Sequence, residues 1–248
     1  MQSTWPAVLL RETVTGLVVL SWLVLLYQVA AFSIQRDIAA LGPGMELLQI
    51  GFDWAVGADN EIGKFLLSIC SAATSGEART IYLACFGMWM IKVCAMMLPA
   101  IFPFLETGKG SQRNWHKSLS FVCGFSSVWI GFAALAAGLQ SLFQINQLLD
   151  ETLVLNSSVV SVGLIAFAVG YRVSAIGKVA RKHCNTYAVY LKRADHSSMQ
   201  FRTGTALGMK CIKCCWPMML VMLAFGMMNL VAMAFLTALG IWDRSQNW

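Results

Sequence analysis

The chain has 248 residues, 58% of them hydrophobic and only 12% charged, with a mean hydropathy of +0.65. That composition excludes an ordinary soluble domain and describes a polytopic membrane protein. The formal charge of +6 comes from Lys and Arg gathered in a few segments, so it reads as a topology signal and not as a nucleic-acid footprint.

The expected fold is all-α: one membrane domain over residues 1–248, a transmembrane helical bundle of about five spans, or six with a re-entrant or interfacial helix. The first span is expected over 13–35, an uncharged run between Arg11/Glu12 and Arg36/Asp37 that is too long for a cleavable signal peptide. A long polar connection follows, containing Gly42-Pro43-Gly44 and a stretch, Met45 to Trp54, that could lie on the membrane surface. The second span, 80–105, is interrupted only by Lys92 and ends on Pro99 and Pro103, which cannot continue a helix. The third, 118–145, lies in an uncharged run and carries Gly124, Gly131 and Gly138 at heptad spacing, a stripe that would let a neighbouring helix approach closely.

Asp150 and Glu151 mark an acidic turn before the fourth span, 152–171. Arg172 to Lys213 then reads as the most basic loop of the chain, with Asp195 its only acid, and the fifth span is expected over 214–242. The Lys and Arg distribution places the N-terminus and both basic loops in the cytoplasm. Asn156-Ser157-Ser158 matches a glycosylation sequon, a pattern short enough to arise by chance.

Particular chemistry is concentrated in Cys211, Cys214 and Cys215, followed by Met218 and Met222. Thiolates and thioethers are soft ligands that select Cu(I), and thiolates also suit zinc. At helical spacing Cys211, Cys215, Met218, Met222 and Asn229 fall near one face, and Met90, Cys94 and Met97 share a face of the second span. His183 and Cys184 lie on the same predicted side of the membrane as the cysteine cluster and could add ligands. Cysteine and methionine are also ordinary apolar packing residues, which leaves packing open for each of them. Lys92 and Asn229 are the polar side chains of interest within spans, and Lys92 is the one charge in the middle of a span. Neither a phosphate-binding Gly-rich loop, nor a nucleophile elbow, nor a His-Glu-x-x-His motif is present, so no enzymatic activity is expected.

The residues Met88-Trp89-Met90, Met96-Met97-Leu98-Pro99, Gly170-Tyr171, Cys184, Cys211-x-x-Cys214-Cys215-Trp216, Met227-Met228-Asn229 and Met233 resemble a bacterial family of predicted metal-binding integral membrane proteins, some of them labelled copper chaperones. The chain departs from the family pattern at Arg172 to Gly177, Ala180, Leu207 and Lys92. The resemblance implies a multi-pass protein of the bacterial inner membrane. It would bind Cu(I), or zinc, through Cys211, Cys214, Cys215, Met218, Met222, Met90, Met97 and Cys184, and would deliver it to an acceptor protein. Two other readings stand beside it: a non-catalytic structural or assembly subunit of a larger membrane complex, and a membrane thiol oxidoreductase using the Cys-x-x-Cys pair.

Overall fold

The computed structural model describes residues 5–35, 44–46, 68, 77–106, 115–149, 158–193, 200–226 and 229–245. Its helices are α1 (Trp5–Gln35), α2 (Ala78–Met97), α3 (Phe102–Glu106), α4 (Trp115–Ile145), α5 (Ser158–Val173), α6 (Ala175–Arg193), α7 (Gln200–Leu220), α8 (Met222–Phe225) and α9 (Leu230–Ser245). Among the described residues four segments are long and apolar enough to cross a membrane: Leu9–Ala30, Ala78–Ile101, His116–Ile145 and Gln200–Phe225. Val159–Val173 and Ala175–Cys184, bent by 65° where they meet, would make a fifth. The all-helical expectation of about five spans holds in this form. Most of Met45 to Trp54, the acidic turn, Asn156-Ser157, His196 and Met227-Met228 lie outside the described residues.

The distribution of polarity is inverted relative to a soluble bundle. Leu20, Leu135, Val159, Ile176 and Phe235 face outward, while Gln28, Lys92, Gln140 and Asn229 are buried. Interior polar groups need partners. Trp89 Nε1 donates to Gln140 Oε1 at 2.8 Å and joins α2 to α4, and Trp22 Nε1 donates to the Ala95 carbonyl at 3.2 Å and joins α1 to α2. Trp89 also meets Phe132 edge-on, at 6.0 Å between ring centroids.

The C-terminal third differs most from the sequence expectation. Arg172 to Lys213 is not a loop: it carries the end of α5, all of α6 and the first two thirds of α7. The charges that suggested a solvated loop sit on helices, with Lys178, Lys182, Arg202 and Lys213 exposed and Gly204, Leu207, Gly208 and Cys211 buried. Ser174 restarts the helix. Its Oγ accepts from the Gly177 backbone N–H at 3.1 Å, the N-cap arrangement, and donates to the Tyr171 carbonyl at 2.7 Å. Arg181 Nη2 donates to the Arg172 carbonyl at 2.7 Å, satisfying one of the acceptors left open where α5 ends. Gly177 stands where a Cβ would run into the Tyr171 carbonyl, so the bend needs glycine there.

The single span expected over 214–242 is likewise replaced. The helical run begins at Gln200, breaks after Phe225 with Gly226 at φ 95°, and resumes at Leu230. Asn229 caps the new helix, its Oδ1 accepting from the Ala232 N–H at 2.9 Å. Its position inside the bundle therefore has a structural cause.

Helices α4 and α7 pack closely because glycines face each other. A Cβ at Gly124 would meet the Phe201 carbonyl, one at Gly204 the Phe121 carbonyl, and one at Gly208 the Val128 side chain at 3.0 Å. Of the expected stripe, only Gly124 acts this way. Gly131 faces open space, and at Gly138 the nearest atom is in Tyr82, 3.9 Å away. The matching element is Gly204-x-x-x-Gly208 on α7, the small-residue spacing that lets two membrane helices touch.

Pro217 lies inside α7 and cannot supply the N–H that would have bonded the Lys213 carbonyl one turn earlier. The Tyr171 hydroxyl donates to that carbonyl at 2.5 Å. Trp216 packs beside it, 5.9 Å from the Tyr171 ring and 5.6 Å from Phe167, so α5 is clamped over the cysteine-bearing turn of α7. Tyr171→Phe is expected to lower stability by about 0.5–1.5 kcal/mol, the net worth of one hydrogen bond at an exposed position. Thermal unfolding in detergent measures it, and an unchanged midpoint would show that the carbonyl finds another donor.

Candidate metal centre

Cys211 and Cys214 stand three residues apart on α7, which brings their side chains to one face of the helix. Cys184 reaches the same point from α6. The three sulfurs lie within 4.8 Å of one another, Cys184 and Cys211 being buried and Cys214 half-buried. With metal–sulfur bonds of about 2.3 Å, sulfurs around one ion stand about 3.8 Å apart, so closing this triad on an ion takes a contraction of about 1 Å at most. Cys215 adjoins the group, its Sγ 3.1 Å from that of Cys214. Cys214 also donates to the Cys211 carbonyl at 3.2 Å. The seven described cysteines are all free thiols.

The thiol group occupies the middle of the apolar segment Gln200–Phe225, not its mouth, because the helix starts before the cysteines. The other sequence-derived ligands are arranged differently. His183 is exposed. Met218 receives a hydrogen bond to its Sδ from Arg172 Nη1 at 3.6 Å, and the same guanidinium holds Asp243 through Nη2 at 2.7 Å. Its sulfur is thus engaged toward α5 and α9. Met222 is fully buried beyond the Pro217 kink. Met90 and Met97 belong to α2, which packs on α1 and α4, whereas the thiol triad is built by α6 and α7.

Sequence reasoning did not single out Arg172 or the role of Tyr171 beside the site. A proline within an apolar helix is itself a signal that some donor must serve the carbonyl one turn back, and Tyr171 is that donor. Arg172 ends one apolar helix and Asp243 ends another, an opposite-charge relation that the sequence displays without showing that the two meet.

Membrane-length helices carrying a largely buried three-thiol cluster define a helical protein equipped to hold a soft metal ion. A family model described as copper chaperone, PpoB2, matches residues 86–248. The chain belongs to that family, and the matched region contains Cys184, Cys211 and Cys214. No curated protein and no solved structure matches the chain. Family and thiol cluster together support a role in metal handling.

Proposed function

We propose that the protein is a multi-pass protein of the bacterial inner membrane that binds Cu(I) through Cys184, Cys211 and Cys214 and passes it to an acceptor protein. The observation that carries this reading is the meeting of three thiols from two helices within 4.8 Å. A trigonal set of thiolates suits Cu(I), which takes soft ligands and low coordination numbers. Cys215, half-buried and in contact with Cys214, supplies the outward step: an ion held by the triad could exchange one thiolate for Cys215 and then for a thiolate of the acceptor, with no change of oxidation state. Outward-facing apolar side chains support a membrane protein, and the exposed basic residues Lys178, Lys182 and Lys213 on α6 and α7 favour a cytoplasmic side for the ends of those helices.

The test is elemental analysis of detergent-purified protein loaded anaerobically with Cu(I), beside a Cys184/Cys211/Cys214→Ser variant. Close to one copper per chain is expected in the parent protein and none in the variant. Equal copper in both would overturn the assignment. The contact between Cys214 and Cys215 is also the observation a thiol oxidoreductase would draw on. A metal-free protein whose thiols cycle between alkylation-resistant and alkylation-sensitive forms would favour that reading instead.

A further inference from the structure

Arg172 lies in the last turn of α5 and Asp243 in the last turn of α9, and the two side chains meet at 2.7 Å. Aromatic side chains with a polar edge gather at the same level. They are Tyr171, Trp216 edge-on to it, and Trp242, which is 61% exposed and adjoins Asp243 in the chain. Charged helix ends ringed by Tyr and Trp mark where a bilayer gives way to water. Helix α6 leaves α5 at that level with a bend of 65°, so with α5 near the bilayer normal α6 inclines toward the membrane plane.

The first half of α6 has two unlike outward flanks. Lys178 and Lys182, one turn apart, are both exposed, and neither ammonium has a partner among the described residues. Arg181, by contrast, is engaged with the Arg172 carbonyl. Ile176 and Val179 occupy the neighbouring flank, 72% and 53% exposed. Gly177 and Cys184 lie on the opposite, buried face, so the outward flanks take no part in the thiol triad. No Asp or Glu occurs between Ala175 and Arg193. An acidic protein surface would match the lysines alone, whereas a bilayer containing anionic lipid accommodates the lysines and the apolar pair together.

We propose, resting on the membrane reading given above and not on copper, that the first half of α6 binds the headgroups of anionic phospholipids. Lys178 and Lys182 attract the phosphate, while Ile176 and Val179 enter the upper acyl layer. Because Cys184 is on the other face, a helix moored in this way still offers its thiol to α7.

The test is native mass spectrometry of the full-length protein in detergent, titrated with phosphatidylglycerol or with phosphatidylcholine of the same acyl chains. The parent protein is expected to retain phosphatidylglycerol more strongly. Each lysine contributes about 5-fold, so Lys178→Gln/Lys182→Gln should weaken phosphatidylglycerol binding about 30-fold. Lys178→Arg/Lys182→Arg should keep it. Arg11→Gln/Arg202→Gln removes the same charge from exposed positions of α1 and α7 and should change it little. All three variants leave the thiols intact, and an unchanged Cu(I) stoichiometry reports that they fold. An equal loss in Arg11→Gln/Arg202→Gln would reduce the effect to net charge and overturn the proposal. Equal retention of both lipids by the parent protein would also overturn it, and would leave the lysines to an acidic protein partner. A chain that stays monodisperse without detergent would sink the membrane reading, and this one with it.

Discussion

Cys184→Ser is expected to weaken Cu(I) binding by more than about 100-fold, because losing a partner that merely orients a ligand already costs 10–100-fold and here the ligand itself is removed. Cys184 is the only thiol that α6 contributes to the triad, so without it the ion is left with two sulfurs on a single helix. Three comparisons sharpen the result. Cys215→Ser is expected to change equilibrium affinity far less, since Cys215 stands outside the triad, and to slow transfer to an acceptor instead. Met218→Leu should leave affinity unchanged, because that sulfur already accepts from Arg172. His183→Ala should do the same, because the ring is exposed. Competition with a coloured Cu(I) chelator reads all four. A larger loss in Cys215→Ser than in Cys184→Ser would relocate the centre to the vicinal pair.

Gly204→Ala and Gly131→Ala are expected to move stability in opposite directions. At Gly204 the added methyl would collide with the Phe121 carbonyl and approach the Phe125 nitrogen to 2.9 Å. Both are backbone atoms of a rigid helix, so α4 and α7 must separate. Overpacking of this kind costs about 1–3 kcal/mol and sometimes more. Because α7 carries Cys211 and Cys214, the variant should also hold less copper. At Gly131 no atom lies within 4 Å, and the same substitution should gain up to about 1 kcal/mol from helix propensity alone. Thermal unfolding followed by circular dichroism compares them. Equal midpoints would mean that the glycine contact does not hold α7 in place.

What could be read from the sequence was set by how local each signal is. Lengths of uncharged sequence marked α1, α2 and α4 well, because crossing a membrane imposes a length and a polarity that any window displays. Cys211 and Cys214 were legible from their spacing. Cys184 was singled out as a cysteine on the same side and through the family resemblance, not by spacing, since nothing local says that α6 turns back along α7. The basic stretch misled because charge density was read without its periodicity: Lys178, Lys182, Arg202 and Lys213 face out from helices whose other faces are buried. Gly204 and Gly208 were hidden inside that stretch, and the role of Met218 depended on an arginine two helices away.

The division of the thiols between α6 and α7 has a consequence for the chain as a polymer. An ion gripping Cys184 and Cys211 together joins two points of the backbone that are otherwise connected through residues 194–199, and so acts as a removable crosslink. By loop-closure entropy a link of this span is worth about 3–4 kcal/mol. Loading would draw α6 against α7, and unloading would relax that seam. The acceptor would therefore meet two different surfaces, one on the cargo-bearing protein and one on the protein it has just emptied, and could be released by the same event that supplies it.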